Sequence, residues 1–131
     1  MTVDAKAVLD ASALLTLLLK EKGAANLTDE IMIRSVVSAI NLAEVQTKLV
    51  SRGYDPEEAW EDAVSLTREV KSFTAAHAKT AGTLVSKTQH RGLSLGDRSC
   101  LALAIELKAE VFTTEKSWKQ LKIGVPIHLL R

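Results

Sequence analysis

Cysteine is nearly absent: Cys100 is the one thiol in 131 residues. A lone thiol cannot close an internal disulfide, and without a CxxC pair there is no cysteine-based metal site. Its setting in "RSCLALA" is apolar, so Cys100 reads as a small buried side chain in a reducing compartment rather than a nucleophile. Charge of one sign is also missing. A formal net charge of +1 argues against a protein that grips nucleic acid mainly through a broad basic field, and leaves room only for a local basic strip. Long apolar runs are missing too. The best candidate, "AVLDASALLTLLL", is interrupted by Asp10 and closed by Lys20; it makes a poor signal peptide and falls short of the roughly 20 residues a membrane span requires. The expectation is therefore a cytoplasmic protein without membrane association. No internal repeat, low-complexity linker or Gly-rich phosphate loop is visible.

What is present is ordinary globular material, 47% hydrophobic and 25% charged, enough for one domain over residues 1–131. Short apolar runs alternate with helical patterns. Ala7 to Leu9 is a strand of the doubly buried kind, with Ser12 placed to cap the helix "ALLTLLLKEKG" ending at Gly23. "SVVS" is a second strand, followed by a helix from Leu42 to Arg52 with Leu42, Val45 and Leu49 on one face and Glu44 pointing away from it. Asp55, Pro56, Glu57 and Glu58 form a strong helix start, continued by an apolar stripe of Trp60, Ala63 and Val64. A brief strand around Val70, a helix over "TAAHAKTAGTLVSKT" ending near the turn at Gly92, a buried helix after Asp97, and strands in "AEVFTT" and "VPIHLL" complete the chain. This order predicts a three-layer α/β/α sandwich with a mainly parallel central sheet.

In such sheets ligands bind at the carboxyl ends of the strands, at a topological switch point. Asp10, Glu44, Asp97 and Glu115 are the acids placed at that edge. Each also has a purely structural explanation. Asp10 could end a strand or assist Ser12 at a helix cap. Asn41 and Glu44 have the spacing of a capping box, as do Ser94 and Asp97, and Glu115 could complement the dipole of a short helix through Trp118. These explanations leave open why all four positions are acidic.

Four segments taken together, "VLDASALL", "INLAEV", "GLSLGDRSCLALA" and "TTEKSW", resemble the PIN domain, in particular the VapC-type toxins of bacterial toxin and antitoxin pairs, and the similarity continues to the closing "GVPIHLLR". The resemblance implies a divalent-metal endoribonuclease using Mg2+ or Mn2+. Asp10, Glu44 and Asp97 match the three principal acids, and Glu115 matches the fourth, where the family more often has Asp. It further implies an RNA substrate, a cognate antitoxin that blocks the acidic cleft, and self-association into a homodimer. The chemistry agrees: phosphodiester hydrolysis requires an activated water and stabilisation of developing charge, which hard cations held by carboxylates supply. Without a cation such carboxylates repel one another, and at least one should hold its proton more tightly.

Ser12 and Thr113 are supporting candidates for positioning water, beside simpler roles as helix cap and strand residue. His90, Arg91 and Arg98 flank the Asp97 region and could meet RNA phosphates, Arg98 foremost. His77 and His128 lack zinc spacing and read as structural, and Trp60 and Trp118 as packing residues. Two other functions compete. A phosphoacceptor signalling domain would want paired acids after its first strand, yet Ala11 follows Asp10. A catalytically silent interaction module with the same fold is the stronger rival.

Overall fold

The computed structural model describes residues 5–88 and 92–131; His90 and Arg91, named above as candidate phosphate contacts, lie outside the described residues. Five strands, β1 (Ala7–Leu9), β2 (Ser35–Ser38), β3 (Glu69–Lys71), β4 (Glu110–Thr113) and β5 (Ile127–Leu129), form one sheet in the order β3-β2-β1-β4-β5. Every neighbouring pair is parallel. The helices between them are α1 (Ala11–Leu18), α2 (Asp29–Ile33), α3 (Ala39–Ser51), α4 (Pro56–Leu66), α5 (Ala75–Thr83), α6 (Val85–Thr88) and α7 (Leu95–Leu107). Among the described residues no helix is long and apolar enough to cross a membrane.

The alternation of side chains along a strand separates two cores. Val36, Val8, Val111 and Ile127 stand in register across four strands and bury themselves against Cys100, Leu101, Leu103 and Ala104 of α7 together with Trp118. On the opposite face Val37 packs with Leu14 of α1, Leu42, Val45 and Leu49 of α3, and Ala59 and Ala63 of α4. Ala7, Leu9 and Phe112 extend that face under Ala13, Leu27 and Leu130. Helices thus cover both faces, as the alternating order predicts.

All five strands lie where their apolar runs place them, and Asp55 caps α4 with Pro56 at its first position. The helix boundaries differ in informative ways. Asp10, not Ser12, caps α1 by accepting a hydrogen bond from the Ala13 amide. That helix stops at Leu18 rather than Gly23, because Lys20, Glu21 and Lys22 bring no apolar side chain to bury, and Lys20 already has a positive φ of 54°. Gly23 instead adopts a φ of 98° where a β-carbon would collide with the Leu130 carbonyl, which Asn26 holds through a 2.8 Å hydrogen bond. The α3 helix begins at Ala39, capped by Ser38, so Asn41 lies inside it and makes no capping box with Glu44. Asp97 lies within α7 rather than before it. The long Ala-rich helix breaks at Leu84 into α5 and α6, where Gly82 and β-branched Thr83 lower its propensity. Helix α2 is an addition to the elements expected. Its signal, Thr28 ahead of Asp29 and Glu30, was present, but five residues are too short to show periodicity. Trp60 is 41% exposed rather than packed, whereas Trp118 is buried as expected.

Candidate active site

The strand order reverses beside β1: β2 and β3 lie to one side of it, β4 and β5 to the other. The switch point is therefore the gap between the carboxyl ends of β1 and β4, where two neighbouring crossovers depart in opposite directions and leave a crevice. Asp10 leaves β1 and Glu115 follows β4 at this gap. Glu44 descends on α3 directly after β2, and Asp97 sits in the first turn of α7. The four acids line one cleft of about 200 Å³, together with Ala11, Ser12, Leu15 and Lys48.

Asp10 is 4% exposed. Its Oδ1 accepts hydrogen bonds from Ser12 Oγ at 2.7 Å and the Ala13 amide at 2.8 Å, and its Oδ2 accepts from Thr113 Oγ1 at 2.6 Å. Burial nevertheless pushes its pKa up from 3.8 to about 6, with the Asp97 charge adding to the rise and the three donors opposing it. Ser12 and Thr113 hold more than Asp10. Ser12 Oγ accepts from the Thr114 amide, and Thr113 Oγ1 accepts from the Glu115 amide, both at 3.0 Å. This network ties the exit of β1 to the exit of β4 and sets where Glu115 starts. Ser12 is thus a residue that orients a carboxylate, and not the helix cap expected of it.

Glu44 is exposed, but its carboxylate is steered. Asn41, 1% exposed, donates through Nδ2 to Glu44 Oε1 at 2.8 Å and to the Gly96 carbonyl at 3.0 Å. One amide therefore pins Glu44 against the start of α7. Gly96 makes the approach possible, since a β-carbon there would overlap the Glu44 carboxylate. Asp97 meets its structural explanation and its site position at once. Its Oδ2 accepts from the Ser94 amide at 2.9 Å while Ser94 Oγ accepts from the Asp97 amide at 3.1 Å, a capping box that orients the carboxylate at the cleft. Glu115 is exposed, and its side chain makes no capping bond to the short 3-10 turn Lys116–Gln120.

The charges of Asp10, Asp97 and Glu44 all act on Cys100, which burial first and those charges second push well above a normal thiol pKa. Cys100 is buried and free, as its sequence setting implied, and lies beneath the acids. Among the described residues none of the four acids has an ion-pair partner, and no group of three or more His, Cys, Asp or Glu stands ready to hold a metal ion. The acids share a cleft without converging on one point. Two of them, Glu44 and Glu115, are exposed side chains on longer stems.

Other candidates lie elsewhere. Arg98 is not among the described residues lining the cleft; its Nη1 donates to the Ala81 carbonyl at 2.8 Å, fastening α7 to α5. His77 shares a capping box with Thr74 and pairs with Glu106, and His128 pairs with Glu110 beside Phe112. Both are structural, as read from their spacing. Sequence reasoning passed over Asn41 as a steering residue, Gly96 as the floor under Glu44, and Lys48 as the base in the cleft. Asn41 and Lys48 each carried a local signal, three residues before and four residues after Glu44; Gly96 carried none.

The family model of the PIN domain matches residues 7–124. The chain belongs to the PIN domain family. Its fold is shared by several solved structures at low identity. The VapBC2 complex from Rickettsia felis, bound to a DNA fragment from their promoter, is 21% identical, with 93% of this chain and 96% of that chain covered at a TM-score of 0.71. DNA-bound VapBC from Salmonella typhimurium is 17% identical over 97% and 99% of the two chains, with a TM-score of 0.75. Mycobacterium tuberculosis VapC20, a Sarcin-Ricin loop cleaving toxin, is 18% identical over 92% and 99%, with a TM-score of 0.73. A search of curated proteins found no match. The PIN assignment agrees with the reading of the four sequence motifs, and the parallel sheet with its order about β1 is the PIN architecture.

Proposed function

We propose that this PIN domain is a divalent-metal endoribonuclease acting as the toxin of a toxin and antitoxin pair. The observation that carries the reading is the gathering of Asp10, Glu44, Asp97 and Glu115 on one cleft at the switch point, with no ion-pair partner for any of them among the described residues. A buried acid whose pKa burial raises, beside three further carboxylates, is an arrangement that a cation relieves. The donor set is carboxylate oxygen throughout, which fits magnesium or manganese and not a soft metal. Asp10 and Asp97 are the firmest ligand candidates because hydrogen bonds already orient them; Glu44 joins them through Asn41, and Glu115 reaches from the other side of the gap. When bound, the cation lowers the pKa of water and stabilises charge developing on phosphate. The chain's own contribution is to hold the carboxylates in place, through Ser12 and Thr113 at Asp10, Ser94 at Asp97 and Asn41 at Glu44.

The proposal extends to an antitoxin partner that covers the cleft and to a homodimer acting on RNA in the cytoplasm; of these, the antitoxin is the part that neighbours solved as toxin and antitoxin complexes support. Incubating the protein with total RNA and manganese, with and without chelator, tests the reading: cleavage that the chelator abolishes is expected, and intact RNA under all conditions overturns it in favour of a silent interaction module.

Gly96 offers a test of the steering. Gly96→Ala places a β-carbon where the Glu44 carboxylate lies, so Glu44 must swing off its Asn41 bond. Because alanine favours the helix, the melting temperature should hold or rise. Manganese affinity, measured by calorimetry, should fall about tenfold, in line with losses of ligand-orienting contacts. Unchanged affinity would remove Glu44 from the metal site.

A further inference from the structure

We propose that Lys48 anchors an RNA phosphate beside the scissile bond, in a subsite that continues the acid cleft along α3. The inference rests on the nuclease reading and deepens it by saying how a polyanion is held at an acidic site. Lys48 lines the acid cleft. It also lines an adjoining groove of about 540 Å³ formed along α3 by Ile40, Ala43, Thr47 and Ser51. Glu44 and Lys48 are the two residues common to both cavities, so Lys48 stands at the junction where a strand leaving the acids would pass.

Its charge is not used elsewhere. Although Lys48 follows Glu44 by one helical turn, spacing that commonly supports an ion pair, it forms none among the described residues. Its side chain is exposed and free to reach a ligand. Arg98, next to Asp97 in sequence, donates to the Ala81 carbonyl, and among the described residues lining the cleft Lys48 is the basic one. Four carboxylates repel an approaching phosphodiester, and one ammonium at the rim supplies the attraction that fixes the register of the strand. The Thr47 and Ser51 hydroxyls already donate to helix carbonyls and are left to accept, which suits contacts to ribose hydroxyls rather than to phosphate. Phosphate contacts of this kind position a chain without reading its sequence.

The test compares wild type, Lys48→Ala and Lys48→Arg in two assays. In manganese-dependent cleavage of a single-stranded RNA, Lys48→Ala should raise KM several-fold with kcat within about twofold, and Lys48→Arg should restore KM. In binding of the same RNA without metal, read by fluorescence anisotropy over a salt series, Lys48→Ala should lower the slope of log affinity against log salt by about 0.7, the share of one phosphate on a single strand. Manganese affinity should hold or tighten, since a positive charge has left the neighbourhood of the acids. A lower kcat at unchanged KM, or an unchanged salt slope, overturns the subsite. Should wild type fail to cleave any RNA, the nuclease reading falls by itself, and the binding slope still decides the role of Lys48.

Discussion

Replacing Asp97 by Asn should abolish RNA cleavage while leaving the fold intact. Asp97 Oδ2 accepts the Ser94 amide in the capping box, and the carbonyl oxygen of Asn can accept the same bond, so the first turn of α7 should survive. The site loses much more. An amide oxygen is a poorer ligand for a hard cation, and the missing charge no longer helps to position cation and water together, so a fall in rate of about a hundredfold or more is expected by comparison with other pre-organised electrostatic groups. Because the Asp97 charge also raises the pKa of Asp10, its removal should leave the metal-free melting temperature unchanged or raised. The increment in melting temperature on adding manganese should shrink, as mass action requires when affinity falls. Asp97 acting only as a cap predicts the reverse, with cleavage intact and a small stability loss independent of metal. Cleavage rates and melting curves of both proteins, with and without manganese, separate the two outcomes.

The second large effect is a dependence of stability on pH that belongs to Asp10. Its folded pKa of about 6 lies above the ordinary 3.8 because the carboxylate is buried. Below pH 4 both folded and unfolded chains hold the proton, and the group contributes nothing to the difference. Between roughly pH 4 and 6 the folded chain keeps a proton that the unfolded chain has released, so stability falls as pH rises and levels off above that range. The loss is on the order of 3 kcal/mol, from about 2 pH units at 1.36 kcal/mol each. Metal-free wild type should therefore lose stability from pH 4.5 to 7.5 relative to Asp10→Asn, which has no proton to release. Other acids titrate in the same window, and the comparison removes them. A divalent cation favours the ionised form, so manganese should stabilise wild type more at pH 7.5 than at pH 5. Denaturant melts in chelator and in manganese measure both effects; parallel profiles for the two proteins would show that burial does not hold the Asp10 proton.

Both effects depend on neighbours that are remote in the chain. Thr113 reaches Asp10 from β4, and Gly96 on α7 receives Glu44 and Asn41 from α3. Strands could be read from the sequence because each is a short apolar run whose burial on both faces is a property of the run itself. Asp55 and Pro56 marked a helix start because capping satisfies amides within one turn. The four acids could be singled out because each follows such a run or opens such a helix, and the PIN likeness set them in one frame. The choice between capping box and site was beyond local reading, since the same three-residue spacing at Asn41 and Ser94 led to different outcomes. Asn41 fell inside a helix already capped by Ser38 and turned its amide to Glu44, whereas Ser94 kept its cap. Burial decided the rest. A low dielectric around Asp10, the commitment of Arg98 to α5 and the placing of Lys48 between two cavities all arise where separate elements pack, and contacts across elements leave no periodic trace in the segments that make them.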